Sequence, residues 1–83
     1  MHLGIYSLEK VLFRGEASLV NCPTESGEIT ILENHRPLIS LLKRGLVKVV
    51  DGDKKEHYIP ISSGFLEVRK GNQIKFLVTE DKA

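Results

Sequence analysis

The sequence predicts an all-β domain, a β-sandwich or small barrel of about eight to ten short strands. Three observations lead there. Apolar and polar residues alternate with period two along most of the chain. Clusters rich in Gly, Asn, Asp, Ser or Pro interrupt that alternation at the short, regular intervals of about 8–12 residues that mark strand-turn-strand order. The 83 residues are enough for one domain with a modest core.

Taken in order, His2–Ser7 alternates with Leu3 and Ile5 on one face. Val11-Leu12-Phe13 begins a second strand, and Arg14-Gly15-Glu16 suits a bend or bulge within it. Beyond the bend, Ser18, Val20 and Cys22 share one face and Ala17, Leu19 and Asn21 the other. Pro23 ends that run because it cannot donate to a ladder. Thr24-Glu25-Ser26-Gly27 forms a turn, after which Ile29 and Ile31 face one way. Glu33-Asn34-His35-Arg36 is a second turn: Asn34 tolerates a left-handed conformation, and Pro37 holds Arg36 extended. Leu38–Leu42 is expected as a strand, since Pro37 and Gly45 bound it too closely for a stable helix.

Asp51-Gly52 between Val47–Val50 and Tyr58–Ile61 signals a hairpin in which both turn residues take positive φ. Pro60 places part of the returning strand at an edge or a bulge. Ser62-Ser63-Gly64 marks a strand crossing or a close backbone approach. Phe65–Val68 then turns through Lys70-Gly71-Asn72, and Ile74, Phe76 and Val78 alternate on the way back. Glu80-Asp81-Lys82-Ala83 reads as a polar tail. No internal repeat, low-complexity tract or linker interrupts the pattern.

The charge balance narrows the function classes. Twelve basic and eleven acidic residues give a net charge of +1, so no broad field steers the chain toward nucleic acid or anionic lipid. Aromatics interleaved with basic residues on one face would be needed for single-stranded nucleic acid. Phe76 and Lys75 instead point to opposite faces of their strand. Met1 leads at once into strand-like sequence rather than a signal peptide, and no apolar run reaches the ~20 residues of a membrane span. The expectation is a soluble, cytoplasmic chain whose membrane association goes through a partner, with no direct insertion.

The search for chemistry returns little. The single cysteine, Cys22, has no partner for a disulfide or metal pair and reads as a small buried hydrophobe. His2, His35 and His57 show no spacing that puts two imidazoles on one metal. Asp51-Gly52-Asp53 with Glu56 lacks the later ligands of a calcium loop, so the hairpin reading is preferred. No nucleophile elbow or phosphate-cradling glycine loop is present. No catalytic, metal-binding or cofactor-binding residue is identified. A site assembled only in three dimensions stays open as a competing reading.

Ordered motifs along nearly the whole chain resemble one family. They are His2-Leu3 through Ser7-Leu8-Glu9-Lys10-Val11-Leu12-Phe13 at the start, then Arg14-Gly15-Glu16, Val20, Pro23, Gly27-Glu28-Ile29-Thr30-Ile31-Leu32, Asn34-His35-Arg36-Pro37-Leu38-Ile39, Lys43-Arg44-Gly45 and Ser62-Ser63-Gly64-Phe65-Leu66-Glu67-Val68. In order and spacing they are similar to the N-terminal domain of the epsilon subunit of F-type ATP synthases, called delta in mitochondria. The departures are local: Thr30 and Asn34 stand where the family usually has glycine, Arg36 replaces alanine, Arg44 replaces proline, and Ser63 replaces the first of two glycines.

The resemblance implies a flattened sandwich of two packed sheets and a mechanical role. The domain would be a non-catalytic, cofactor-free rotor part at the foot of the central stalk, linking the gamma shaft to the polar loops of the membrane c-ring within the larger ATP synthase. Its place would be the cytoplasmic side of a bacterial inner membrane. The loop Glu25, Ser26, Gly27, Glu28, together with His35, matches the ring-facing end. Glu28 would pair with a basic ring residue or stay a solvated turn carboxylate, and His35 would bond within its own turn or touch the ring. Ser7, Ile39 and Ser40 match the gamma-facing side, with a core role for Ile39 as the competing assignment. The family's two C-terminal helices have no counterpart here, so residues 1–83 are expected as a single domain, and the inhibition and ATP binding that those helices carry are not expected of it. The alternative is a free-standing β-sandwich interaction module with another partner.

Overall fold

Two long strands organise the molecule. The computed structural model describes residues 1–81. Its strands are β1 (His2–Tyr6), β2 (Val11–Thr24), β3 (Gly27–Leu32), β4 (Leu38–Leu42), β5 (Gly45–Asp51), β6 (Glu56–Arg69) and β7 (Gln73–Glu80). β2 and β6 are 14 residues each, and each serves two sheets. The first half of β2 pairs with β1, and its second half lies between β3 and β5. The first half of β6 pairs with β5, and its second half lies between β4 and β7. A parallel β1–β7 pair completes one layer. The first sheet therefore runs β2(start)-β1-β7-β6(end)-β4, and the second β3-β2(end)-β5-β6(start).

The expected eight to ten short strands thus become seven. In β6 the passage between sheets falls where the sequence marks Ser62-Ser63-Gly64, at a register shift between Ile61 and Ser63; in β2 it falls at Ala17–Leu19, just past Arg14-Gly15-Glu16, which pair in regular register with β1. The two-sheet sandwich itself is present, flattened to 32 × 26 × 20 Å.

The core fills the space between the layers. Leu3, Ile5, Leu66 and Phe76 of the first sheet meet Val20, Cys22, Ile31, Val47 and Val49 of the second, all fully buried. One face assignment changes. Ser18 is exposed and Ala17 buried. The β2–β5 register shifts between Ala17 and Leu19, and that irregularity reverses the alternation that continues through Val20 and Cys22. Cys22 is buried as expected, and burial, aided by the charge of Glu28, pushes its thiol up to about 12.

The turns follow side-chain chemistry. Asn34 takes φ 63° as predicted. Its backbone N–H donates to Asn72 Oδ1 at 2.6 Å, and Asn72 Nδ2 donates back to Asn34 Oδ1 at 3.2 Å, joining the β3–β4 loop to the β6–β7 turn. At the β5–β6 hairpin, positive φ falls on Lys54 (67°) and on neither Asp51 nor Gly52. The loop is one residue longer than the Asp-Gly signal implies: Lys54 N–H donates to Asp51 O (3.0 Å) and Asp51 N–H to Lys55 O (2.9 Å). That is a type I turn followed by a left-handed residue. The Asp51 carboxylate braces it, accepting from the N–H groups of Asp53 (2.8 Å) and Lys55 (3.0 Å) and contacting His57 Nε2 at 2.7 Å.

Pro60 sits opposite Leu46 in β6, next to a register shift between Ile61 and Ser63. Its carbonyl accepts from Asp81 N–H, away from β5, so the missing proline N–H also lies on that free side and costs the β5–β6 ladder nothing. Of the expected polar tail, Glu80 is the last residue of β7 and Asp81 binds the Arg44 guanidinium at 2.5 Å; Lys82 and Ala83 lie outside the described residues.

Gly64 marks the β6 crossing by steric necessity. A Cβ there would lie 2.4 Å from the Leu77 carbonyl oxygen and 2.9 Å from Val78 Cα, both backbone atoms that cannot move alone. Gly64→Ala should therefore cost about 2–3 kcal/mol and lower the thermal midpoint by at least about 10 °C, measured by circular dichroism. The hairpin gives a pH signature. The hydrogen bond from His57, then those from the Lys55 and Asp53 backbone, hold the Asp51 carboxyl below its ordinary 3.8. A depressed carboxylate pKa stabilises the fold above the unfolded value, and that contribution is lost as pH falls through the folded one. The stability gap between wild type and Asp51→Asn should close as pH falls below about 4 and the wild-type carboxylate takes up its proton, as followed by urea titrations across pH.

Candidate docking surface

Side chains of the first sheet alternate between the core and the outside, and the strand register lines the outward ones into rows. One row crosses four strands: Leu41 of β4 stands beside Phe65 of β6, Leu77 of β7 and Tyr6 of β1. The next row carries Ile39, Glu67, Lys75 and Gly4. Leu41, Phe65 and Leu77 are about half exposed and Ile39 is 75% exposed, while Leu8 in the β1–β2 loop is fully open to solvent. Leu8, Leu41, Phe65 and Leu77, together with Tyr6, Ser7 and Glu25, border a shallow groove of about 510 Å³, and Ile39 lies outside it. A partner covering half of a large apolar side chain gains about 1 kcal/mol each, so this face is a ready adhesive surface.

The residues singled out by sequence fall in several places. Ser7 lies at the groove, with its Oγ accepting from the N–H groups of Glu9 and Lys10 at 3.2 and 3.1 Å. Ile39 is on the outer face of β4. Ser40 is on the other face, half-buried opposite Leu66, so Ile39 and Ser40 do not share one surface.

Glu25 and Ser26 form the β2–β3 turn. The buried Thr24 hydroxyl pins it by donating to Gly27 O at 2.5 Å and accepting from Ser26 N–H at 3.2 Å. Gly27 takes φ 117° at the start of β3, and Glu28 is exposed opposite Pro23. Glu25 N–H also donates to Leu41 O (3.0 Å), which brings this turn to the end of the apolar row. His35 lies beyond the other end of β3, in an exposed loop where its Nδ1 is 2.7 Å from Arg36 O. Six residues of strand separate the two, roughly 17–20 Å. The structure therefore groups Glu25, Ser26, Gly27 and Glu28 but does not bring His35 to them.

Leu8, Leu41, Phe65, Leu77 and Tyr6 were not identified from sequence. A signal was available in the apolar neighbours Phe65-Leu66 and Phe76-Leu77-Val78. Consecutive apolar residues in a strand make both of its faces apolar.

Tyr6 has a specific seat on this face. Its ring folds back over Gly4, where a Cβ would lie 2.4 Å from the tyrosine hydroxyl, and the Lys75 ammonium lies 5.9 Å from the ring centroid. Among the described residues, no group of three or more His, Cys, Asp or Glu is placed to hold a metal ion, and no helix is long and apolar enough to cross a membrane. Because the Tyr6 side chain can swing away, Gly4→Ala should change stability by less than about 1 kcal/mol while shifting the Tyr6 ring resonances in NMR spectra. That outcome contrasts with the cost at Gly64, where backbone is in the way.

Comparison with known proteins finds relatives of the chain. Residues 1–80 match the family model described as the ATP synthase delta/epsilon chain β-sandwich domain. The ATP synthase epsilon chain of Bordetella avium is 44% identical over 72 residues, which span 87% of this chain and 51% of that protein. The epsilon chain of Dichelobacter nodosus is 41% identical over 70 residues, 84% of this chain and 49% of that one. The chain thus spans about half the length of the curated relatives it matches. Among solved structures, a chain of the Euglena gracilis mitochondrial ATP synthase OSCP/F1/c-ring assembly superposes with a TM-score of 0.86 at 22% identity, covering 94% of this chain and 49% of that one. A chain of the Tetrahymena thermophila mitochondrial ATP synthase central stalk/c-ring assembly superposes with a TM-score of 0.79 at 16% identity, covering 96% and 63%. At such identities these two structures speak to the fold.

Proposed function

The chain belongs to the ATP synthase delta/epsilon-chain β-sandwich family, and from that premise we propose that it is a non-catalytic rotor subunit of a bacterial F-type ATP synthase. In this reading it sits at the foot of the central stalk on the cytoplasmic side of the membrane. It binds the gamma shaft through the outer face of the first sheet and the c-ring loops through the turn carrying Glu25, Ser26, Gly27 and Glu28, so that ion flow is coupled to ATP synthesis. The observation that carries the gamma assignment is the row of half-exposed apolar side chains Leu41, Phe65 and Leu77, with Ile39 beside it. A folded domain leaves such a row uncovered when another protein covers it.

Torque transfer needs stiffness and two adhesive surfaces, and no reactive side chain. The strands that run through both sheets supply the stiffness. His35, at the far end of β3, is assigned to a contact separate from that of Glu28, and Ser40 to packing beneath Ile39.

The test is calorimetric titration of the full chain with the gamma subunit of the same organism. Wild type should bind. Leu77→Asp and Ile39→Asp should each weaken binding by about thirtyfold or more, the scale of an interface hot spot. Glu28→Ala should leave gamma binding within about twofold, because an exposed ion pair contributes only about 0–1 kcal/mol and Glu28 is assigned to the other surface. A folded wild-type chain that does not bind gamma would overturn the stalk reading.

A further inference from the structure

The outer face of the first sheet is not apolar throughout. Beyond the Leu41–Phe65–Leu77–Tyr6 row, the register brings Gly4, Lys75 and Glu67 into line, and then His2, Gln73 and Arg69. A hollow of about 310 Å³ opens there, and its polar lining is cationic or neutral: His2, Tyr6, Arg69, Gln73 and Lys75 around the bare backbone of Gly4. No carboxylate lines it. Lys75 makes no ion pair among the described residues and rests against the Tyr6 ring. Arg69 has Glu67 at 3.1 Å, an exposed pair, and among the described residues the acidic neighbour of His2 is Glu16, at 3.8 Å. The Tyr6 hydroxyl, which Gly4 leaves room for, is an O–H donor with no partner among the described residues.

We propose that this hollow receives acidic side chains of the partner that covers the apolar row, so that one face carries both an adhesive stripe and a charge lock. The inference rests on the stalk reading above and specifies the chemistry of the gamma surface. The occupant is an α-helix, about 10 Å across and so wide enough to lie along β6 and β7 while touching their neighbours. Two residues along a strand advance about 7 Å and four about 13 Å. A helix rising 1.5 Å per residue covers those distances in about four to five and eight to nine residues. An apolar residue seated on Leu77 and Phe65 should therefore be followed by Asp or Glu about one turn on, opposite Lys75 and the Tyr6 hydroxyl, or about two turns on, opposite Arg69 and His2. The stripe supplies affinity, while the charges fix which way along the sheet the helix runs and speed its encounter.

The test reverses the charge locally and holds the net change constant elsewhere. The full chain, Arg69→Glu/Lys75→Glu and Lys54→Glu/Lys55→Glu are each titrated with the same gamma subunit at low and at high salt, with circular dichroism as the fold check. The first double variant should bind at least about tenfold more weakly at low salt and lose most of its salt dependence. The second, on the β5–β6 hairpin, whose lysines do not line the hollow, should stay within about twofold of wild type. Zero-length carbodiimide crosslinking of the wild-type complex should join Lys75 to an Asp or Glu of gamma, identified by mass spectrometry. If Arg69→Glu/Lys75→Glu binds like wild type with the same salt dependence while Leu77→Asp does not bind, the charge lock is wrong and the stalk reading stands. If wild type itself does not bind, both fall.

Discussion

Everything in this molecule depends on two strands belonging to both sheets. β2 and β6 each begin in one layer and finish in the other. The layers are therefore joined by continuous backbone as well as by side-chain packing. That demands a bend at each crossing, and the demand is met differently. β2 shifts register between Ala17 and Leu19, which turns Ala17 inward and Ser18 outward. β6 passes so close to β7 that no side chain fits at Gly64. A small domain has little core to spare, and sharing strands lets both sheets close over one set of buried residues.

The same crossing shapes the surface. Where β6 enters the first sheet it brings Phe65 outward and Leu66 inward, and β7 does likewise with Leu77 and Phe76. A central strand with apolar residues on both faces is ordinary when both faces are covered. Here only one is covered by the domain itself. The rows of the exposed face are fixed by the hydrogen-bond ladder of the sheet. Such a surface keeps its side chains in register under load, which suits a subunit proposed to pass torque between a shaft and a ring. The domain's turns are short and braced: Thr24 closes one, Asn34 and Asn72 join two others, and Asp51 holds a fourth. A domain held in this way transmits displacement with little internal give.

Chemistry on the surface is divided by strand position. Two residues along β7, from Leu77 to Lys75, lead from the apolar row to the cationic hollow, and the absent side chain of Gly4 is as much a part of that change as the lysine. Tyr6 joins the two parts, with its ring on the apolar row and its hydroxyl over Gly4. An amphipathic residue at such a boundary serves both neighbours.

Much of this was legible in the sequence, for reasons that can be stated. Period-two alternation placed Leu3 with Ile5, Ile29 with Ile31, and Ile74 with Phe76 and Val78 on shared faces because strand geometry is local, and the structure turns those faces to the core, with Ile29 only half-buried. Asn34 announced its left-handed turn, and Ser62-Ser63-Gly64 its crossing, because glycine and asparagine carry backbone information in their own chemistry. The ordered motifs from Arg14 to Val68 were enough for the family. The sequence could not show that the Asp51 hairpin takes an extra residue, since the deciding hydrogen bonds involve Lys55 and His57 beyond the turn. It could not show that Ser18 faces out, since a register shift belongs to a pair of strands and β5 lies some thirty residues away. Nor could it show which apolar residues form the docking row. Leu41, Phe65, Leu77 and Tyr6 are distant in sequence and become neighbours only through strand pairing. The sequence alone determined the fold class, the family and most of the core, because these follow from periodicity and local backbone preference. Only the tertiary structure decided the strand count, the row and the hollow beside it, because each depends on which strands pair and in what register.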